Sequence, residues 1–483
     1  MDVNWIPGYF PNPIDTSIKR QFLFQLLVHP PLSTFGFLAL SIIGRLLSFG
    51  LLALGLTQLG KALRIGPVCL ALAVITFFNN QSIVAGEWIV SGFEPKVLSY
   101  GLALLSLAWS IEPIPPIRRI FVILGFACSL HVLVGFYASI AIIGALFLQG
   151  TTRAEIHRHW RSSLLSFLLG GAFAIWCAAI HLFSPSPTRI PQELSNTAMY
   201  VFYRSAHHLD PRVWSSLWWL AGLGYLLAFL LLCWWLQKNF SKQDSRALKT
   251  IHYTILLSLI PFLTGLCIYH FDNQGKIMQL YLFRFADVML PLCTCLLGAS
   301  LLQRISEHYR AAAYVSGLIL ICTLGFYLTK TSRQFDSIAH FPGSEQKITT
   351  DWLDVTQWAN TYTKADDLFI VPPVGAESFP WLARRRIYGT FKQVALSGGL
   401  QSWHQRMSKL ANQKDWPIGG KAAASWINER YRFLGEDEVL RIMEEDDAQY
   451  FITNSGHQLS FPTAYHNAKF TVYERPAHAT RER

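Results

Sequence analysis

The chain has 483 residues, of which 52% are hydrophobic and only 15% are charged, and its formal net charge at pH 7 is +11. A soluble globular protein usually carries about 25% charged residues, so this composition excludes a protein that is soluble along its whole length. The positive charge does not indicate nucleic-acid binding. Many of the cations lie in short connectors between apolar runs, where they set membrane topology and contact phospholipids.

Residues 1–34 precede the first apolar run and show no cleavable signal peptide, because they lack a basic segment followed by an apolar core. Ser17–Val28 has the pattern of an amphipathic helix, which we expect to lie on the outer membrane surface. An external N-terminus with no preceding span is unusual. We therefore expect one further helix upstream of Met1 in the natural protein or its relatives, so that residues 1–34 belong to the first external loop.

Residues 35–330 are predicted to form a helical membrane domain, because their apolar runs are long enough to cross a bilayer. One run, Ile120–Leu148, is too long for a single span. If all the Lys- and Arg-rich connectors are to lie in the cytoplasm, it must cross twice or form a re-entrant pair that turns near His131 to Gly135. The total is then about ten spans. The runs are Phe35–Leu59, Ile65–Ala85, Val97–Ile111, Ile120–Leu148, Ser162–Phe183, Leu217–Leu236, Ile251–Tyr269, Tyr281–Leu302 and Ala311–Leu328.

Residues 331–483 have the charge density of an ordinary soluble domain, and the same topology places them on the extracytoplasmic side. Helical and strand-like segments alternate there, which predicts a small α/β domain. No P-loop and no GxGxxG motif occurs in this sequence, so no nucleotide site is predicted. The predicted helices are Asp351–Thr363, Ser402–Ala411, Ala422–Tyr431 and Asp437–Glu445, and the predicted strands are Asp367–Val371, Gln449–Thr453 and Phe470–Tyr473.

Histidines, arginines and carboxylates gather at the predicted external ends of the spans. Such groups are costly at membrane depth and usually mark a site or an internal pair. Their gathering therefore predicts a cavity that opens to the outer leaflet. The residues include Asp15, Glu87, Glu94, His131, Arg204, His207, His208, Asp210, Arg284 and Asp287.

The densest group comprises Arg204, His207, His208 and Asp210, in the longest predicted external loop. Arg204 could hold a phosphate or a carboxylate in bidentate fashion. A histidine with a pKa near neutrality could act as a general base or a metal ligand, with Asp210 orienting it. The alternative interpretation is a structured loop in which the histidines cap helices or contact water.

The other candidates also have two interpretations each. Arg284 and Asp287 are spaced i,i+3 at the outer end of one span, and they either pair with each other or contact a substrate. His131 lies at the predicted break of the long run, where it lines a cavity or has a purely structural role. Glu87 and Glu94 flank the second external loop, where they belong to the predicted cavity or are solvated loop carboxylates. All eight cysteines lie in apolar segments as small buried hydrophobes, so no metal site is predicted.

Several short motifs follow one another in an order that covers nearly the whole chain. They are Gly92–Lys96 (GFEPK), Leu130–Gly135 (LHVLVG), Arg204–Pro211 (RSAHHLDP), Leu282–Phe285 (LFRF) before Leu290–Leu292 (LPL), Trp358–Thr361 (WANT), Asp367–Pro373 (DLFIVPP) and Tyr388–Lys392 (YGTFK). With these motifs in this order, the chain resembles an uncharacterised class of bacterial multi-pass membrane proteins related to the GT-C glycosyltransferases.

The resemblance implies a GT-C-like helical fold in the bacterial plasma (inner) membrane. It also implies transfer of a sugar from a polyprenyl-phosphate donor at the outer face of that membrane. GT-C enzymes use an acidic residue of the first external loop, for which Asp15 is the match; the other catalytic candidates are His207, His208 and Asp210. The candidates for binding the substrate and its phosphate are His131, Arg204, Arg284 and Asp287. The resemblance identifies no definite cofactor, but a divalent cation, Mg²⁺ or Mn²⁺, could take part.

Two other functions stay open on the sequence: a non-catalytic membrane scaffold or binding protein of the same fold, and a transporter. A transporter usually has polar residues through the depth of the membrane and often has internal repeats, whereas here the polar groups stay near one face. The expected partners are the lipid bilayer and, for the transferase, a polyprenyl-phosphate-linked sugar. No nucleic acid is expected.

Overall fold

A computed structural model of the chain describes residues 13–79, 81–90, 92–183, 195–239, 242–335, 349–392, 399–417 and 419–477. The chain divides into two compact units, which are described separately. The membrane unit comprises Ser17–Pro185 and His207–Arg333, and the C-terminal unit comprises Met1–Thr16, Ser186–Ala206 and Gln334–Arg483.

Helices account for nearly all of the regular structure up to residue 335. Asn196–Ala198 runs directly into a short π-helix, Met199–Arg204. In chain order the helices are α1 (Pro13–Ala62), α2 (Pro67–Asn79), α3 (Pro95–Ser110), α4 (Ile117–Leu130), α5 (Val132–Phe147), α6 (Gly150–Arg158), α7 (Trp160–Gly170), α8 (Ala172–Phe183), α9 (Asn196–Ala198), α10 (Ala206–Leu209), α11 (Ser216–Asn239), α12 (Lys242–Ile268), α13 (Arg284–His308) and α14 (Arg310–Phe335).

Five helical segments among the described residues are long and apolar enough to cross a membrane, or up to seven if each of two bent helix pairs is one span. The chain is therefore a multi-pass membrane protein whose apolar helices are suited to a lipid bilayer. The five segments are Ala39–Ala62, Ser216–Asn239, Ser245–Ile268, Arg284–His308 and Arg310–Thr329, and the bent pairs are α5 with α6 (107°) and α7 with the first part of α8 (64°).

The long apolar run Ile120–Leu148 is broken at His131, where the sequence predicts a turn. His131 has an extended backbone (φ −148°, ψ 101°) that ends α4 and begins α5. Its Nδ1 atom accepts a hydrogen bond from the backbone N–H of Val134 at 3.3 Å, so the imidazole caps α5. Gly135 lies against the backbone of Cys128 in α4, where a Cβ atom would overlap the Cys128 nitrogen. The break thus depends on a capping histidine and on a residue without a side chain.

Two other segments differ from their predicted form. Ser17–Val28 is not a separate surface helix but the first part of α1, a 50-residue helix that contains Pro30 and Pro31. The hydroxyl group of Thr34 donates to the Pro30 carbonyl in this stretch, one way in which apolar helices accommodate proline. The predicted span Ser162–Phe183 is instead interrupted at Gly171, between α7 and α8.

The C-terminal unit contains a mixed five-stranded sheet with the strand order β2-β1-β3-β5-β4. β1 is parallel to β2 and β3, whereas β5 is antiparallel to β3 and β4. The strands are β1 (Leu368–Ile370), β2 (Arg386–Ile387), β3 (Tyr450–Asn454), β4 (Thr463–His466) and β5 (Phe470–Glu474), and the helices are α15 (Thr350–Tyr362), α16 (Phe379–Ala383), α17 (Gly399–Leu410), α18 (Gly420–Tyr431) and α19 (Glu436–Glu445).

Alternating residues of the interior strand β1 contribute to two separate cores, one on each face of the sheet. Leu368 and Ile370 belong to the core that includes α17, α18 and α19, and Phe369 belongs to the core that includes α15 and α16. This alternation is the two-residue period of a strand buried on both faces. The predicted helices and strands of this region are present, with ends that coincide or differ by at most three residues. The two short strands β2 and β4 were not expected from the sequence.

We expect Gly135→Ala to destabilise the membrane unit by about 1–3 kcal/mol, because the new methyl group forces the backbones of α4 and α5 apart. Thermal unfolding in detergent, followed by size-exclusion fluorescence, measures the change. Gly298→Ala in α13 is the matched control, since no atom lies within 4 Å of its Cβ position. An equal unfolding temperature for the two variants would contradict the proposed role of Gly135.

Candidate functional site

The connection between α2 and α3 is fixed by the buried carboxylate of Asp287 in α13. Oδ1 of Asp287 accepts the backbone N–H groups of Ile83 at 3.0 Å and Val84 at 2.8 Å, and Oδ2 accepts that of Ala85 at 3.2 Å. Gly86 follows with φ +64°, a conformation that favours glycine. Asp287 therefore holds the connection against the first turn of α13, and the next side chain, Glu87, faces the same turn.

Glu87 forms a buried ion pair with Arg284, the first residue of α13. Nε of Arg284 lies 3.0 Å from Oε2 of Glu87, and the Glu87 residue is only 1% exposed. The guanidinium carbon lies 3.8 Å from the centre of the Tyr281 ring, so the cation is also held by an aromatic face. Oε1 of Glu87 is buried and has no hydrogen-bond partner among the described residues. A guanidinium has five N–H donors, and this pair uses one edge of it.

The other edge of Arg284 faces His131 at the break between α4 and α5. Nη1 of Arg284 lies 3.3 Å from Nε2 of His131, while Nδ1 of the same ring accepts the Val134 N–H. A neutral imidazole carries one N–H. With Nδ1 acting as an acceptor, Nε2 carries the hydrogen and two donors face each other. An oxygen atom about 2.9 Å from both nitrogens would accept from both, so this edge favours an oxyanion.

His208 contributes a second imidazole to the same region. Its Nδ1 atom is hydrogen-bonded to the carbonyl oxygen of Ala85, and because a carbonyl can only accept, Nδ1 carries the hydrogen. Nε2 is then the acceptor atom. Burial lowers the pKa of His208 well below its ordinary value, and the neighbouring His207 and Arg284 lower it further. The imidazole is therefore neutral at pH 7 and offers a lone pair.

The structure brings together some of the predicted site residues and separates others. His131, His208, Arg284 and Asp287 are joined through the connection between α2 and α3. Arg204 belongs to the C-terminal unit, where its Nη2 atom donates to the Lys392 carbonyl at 2.8 Å and its guanidinium lies over the Phe391 ring. The side chain of Asp15, near the start of α1, is outside the described part of the structure.

Two predicted interactions are corrected. Asp210 does not orient a histidine, because its carboxylate accepts from the backbone N–H, Nε and Nη2 of Arg212 at 2.8–3.0 Å. Asp287 and Arg284 have different partners rather than each other, since the backbone of residues 83–85 provides three donors to Asp287 and Glu87 provides the carboxylate to Arg284. His207 accepts at its carbonyl from the Trp214 indole N–H and lies against His208, with 3.9 Å between ring centres.

Glu87 is the site residue that the sequence interpretation missed. The sequence groups Glu87 with the outer-face residues but leaves it out of the catalytic and phosphate-binding candidates, whereas in the structure it is buried and paired. A signal was available, because Glu87 is the only charged residue in the otherwise apolar stretch Ile83–Val90. A carboxylate in such surroundings is rarely left without a partner.

The described residues include no group of three or more His, Cys, Asp or Glu side chains placed to hold a metal ion. Both oxygens of Asp287 are occupied by backbone N–H groups, which leaves them unsuited to coordination. The described residues therefore do not fit an Mg²⁺ or Mn²⁺ site.

We expect Asp287→Asn to lower the stability of the membrane unit by about 1–3 kcal/mol, because one carboxylate oxygen becomes a donor that faces backbone N–H groups. Hydrogen exchange by mass spectrometry should show faster exchange in peptides covering residues 83–90. Glu94→Gln is the control, since Glu94 pairs with Lys96 at 3.3 Å with 45% of its side chain exposed. Unchanged exchange in Asp287→Asn would contradict the anchoring role.

We expect the stability of the protein to fall as the pH is lowered below about 6.5, by at most about 1.4 kcal/mol per pH unit from His208. The reason is that the unfolded chain binds a proton there while buried His208 stays neutral. Thermal unfolding between pH 7.5 and 5 measures this slope. His208→Asn keeps a donor for the Ala85 carbonyl and should have a flatter profile, whereas identical slopes would show that His208 titrates normally.

The comparisons with known proteins concern mainly the C-terminal unit. The profile of a family described as a domain of unknown function (DUF6798) matches residues 350–410, from α15 through α17. No curated protein matches the chain.

Proposed function

We propose that the chain is a membrane-embedded glycosyltransferase-like protein that takes a sugar from a polyprenyl-phosphate donor at the outer face of the bacterial plasma membrane. In this proposal it has about ten spans, a GT-C-like arrangement and an extracytoplasmic C-terminal unit. The observation that carries the proposal is the position of Arg284, held between Glu87 on one edge and His131 on the other.

A phosphate group suits this position better than a neutral group. The two nitrogens that face each other, Nη1 of Arg284 and Nε2 of His131, become a pair of donors for one phosphate oxygen. Arg284 is also the first residue of α13, a 25-residue helix. The partial positive charge at a helix N-terminus favours an anion there.

A lipid-linked phosphate suits the position between Arg284 and His131 better than a free phosphate. Arg284–His308 is long and apolar enough to cross a membrane, and Arg284 lies at its first residue. A phosphate bound at this end would lie at the level of the lipid headgroups, while its polyprenyl chain stays in the apolar layer. Arg304 lies near the other end of this helix, and Arg310 begins the next helix, α14. The positive-inside rule then places the Arg284 end outside.

In the transfer step, the acceptor hydroxyl oxygen forms a bond to the anomeric carbon as the bond from that carbon to the phosphate oxygen breaks. The polyprenyl phosphate leaves with the electron pair, and Arg284 stabilises the charge that develops on it. Nε2 of His208 takes the proton of the acceptor hydroxyl. The bound phosphate favours this proton transfer. Burial and Arg284 lower the pKa of His208, and a negative charge nearby raises it again.

The first test measures lipid retention by native mass spectrometry of the protein from nanodiscs that contain undecaprenyl phosphate. We expect Arg284→Gln to lose retention at least about 10-fold, which corresponds to about 1.4 kcal/mol, and Arg284→Lys to be intermediate because Lys cannot present two parallel donors. Arg212→Gln is the matched control, since Arg212 pairs with Asp210 instead. Equal retention in Arg284→Gln and Arg212→Gln would overturn the phosphate site.

The second test measures sugar transfer from undecaprenyl-phosphate-linked hexoses. His208→Asn should lose product while it retains the lipid, because the substitution removes the base and leaves Arg284 in place. Lipid retention without transfer from any donor would instead favour the non-catalytic scaffold of the same fold.

A further inference from the structure

The C-terminal unit contains a cavity of about 220 Å³ that the transfer reaction described above does not use. It lies at the carboxyl ends of the adjacent parallel strands β1 and β3. Its walls come from the segment after β1, the end of β3, the start of α15 and the end of α18. The lining residues include Trp352, Gly375, Asn428, Arg432 and Asn454.

The sheet topology explains why a cavity forms at this edge. After β1 the chain leaves towards β2 on one side, and after β3 it leaves towards β4 and β5 on the other. The connections therefore diverge between β1 and β3. In open α/β sheets such a divergence at the carboxyl ends of parallel strands is where ligands bind.

The walls are held in place by internal hydrogen bonds. The indole N–H of Trp352 donates to the Ser378 hydroxyl at 2.9 Å, and the Tyr431 hydroxyl donates to the Ile452 carbonyl at 2.5 Å. Gly375 turns the segment after β1 with φ +92°, and nothing lies within 4 Å of its Cβ position. The cavity is thus formed by the fold itself, as is usual for small-molecule sites.

Three polar side chains that line the cavity lack a partner within the described residues. These are the amides of Asn428 and Asn454 and the guanidinium of Arg432, for which no side-chain hydrogen bond or ion pair is formed there. Arg432 follows the last turn of α18, where a cation complements the helix dipole. Arg432 and Asn454 are exposed and Asn428 is half-buried, so the polar ends of these side chains are open to a ligand that enters from solvent.

The chemistry of the lining defines the ligand. Arg432 is the one charged residue among the lining residues of the described cavity, and none of these residues is acidic. A guanidinium binds carboxylate or phosphate oxygens, and amides both donate to and accept from hydroxyl groups. The volume is below the roughly 300–1,000 Å³ of sites for drug-sized ligands, so a single small group fits.

We propose that this cavity binds an anionic sugar, with its carboxylate or phosphate group on Arg432 and its hydroxyl groups on Asn428 and Asn454. The site is independent of the Arg284 site, because it lies wholly within the C-terminal unit. It gives the protein a second recognition element, directed at a charged glycan or a sugar phosphate.

The test is saturation-transfer NMR and competition titration with the full-length protein in nanodiscs, using glucuronate, glucose 1-phosphate and glucose as probes. We expect at least one of the two anions to bind at least 10-fold more tightly than glucose. Tighter binding of glucuronate identifies a uronate site, and tighter binding of glucose 1-phosphate identifies a sugar-phosphate site. Glucose binding as tight as that of both anions, or no binding of any probe, would overturn the proposal.

Variants separate the site from folding effects. Arg432→Gln should weaken binding of the preferred anion about 10-fold, which corresponds to about 1.4 kcal/mol. It should also remove the preference for that anion over glucose. Arg430→Gln is the matched control, because Arg430 lies over the Trp426 ring outside the cavity. Unchanged anion binding in Arg432→Gln, with an unfolding temperature equal to that of Arg430→Gln, would refute the role of Arg432. Retention of undecaprenyl phosphate by Arg432→Gln should stay normal, so this site and the Arg284 site can fail separately.

Discussion

Three backbone N–H groups donated to one buried carboxylate determine the position of the candidate membrane site. Asp287 binds the N–H groups of residues 83–85, and an apolar environment makes any unpaired N–H costly. The carbonyl of Ala85 then accepts from His208, and Glu87 reaches Arg284, which in turn faces His131. Asp287 therefore positions, through one connection without regular structure, the two groups that contact His208 and Arg284.

The segment Arg204–Pro211 looks like a single motif in the sequence but serves two units. Arg204 packs on Phe391 within the C-terminal unit, whereas His207, His208 and Asp210 belong to the membrane unit. The boundary between the units falls at Ala206. Residues that are adjacent in sequence need not share a site, and here they divide between the membrane unit and the C-terminal unit.

Much of the architecture follows from the apolar runs, and the break at His131 follows from the length of one run combined with the positions of the basic connectors. His131, Arg284 and Asp287 were predictable as site candidates, because charged and titrating groups are costly at membrane depth. Their partners were not predictable. The donors to Asp287 are backbone groups about two hundred residues away. Nearly every residue type has a backbone N–H, so the sequence does not show which ones bind Asp287. The strands β2 and β4 were not predicted, because segments of two and four residues are too short to show the two-residue alternation of a strand.

Gly86 adds a constraint of a different kind. Its positive φ angle turns the chain between Ala85 and Glu87, and a Cβ atom there would lie 3.3 Å from Nδ1 of His208. A side chain at position 86 would at once strain the backbone and displace the imidazole. Positions 86 and 208 are thus coupled through space although they are distant in sequence. Natural relatives that keep histidine at position 208 should therefore also keep glycine at position 86.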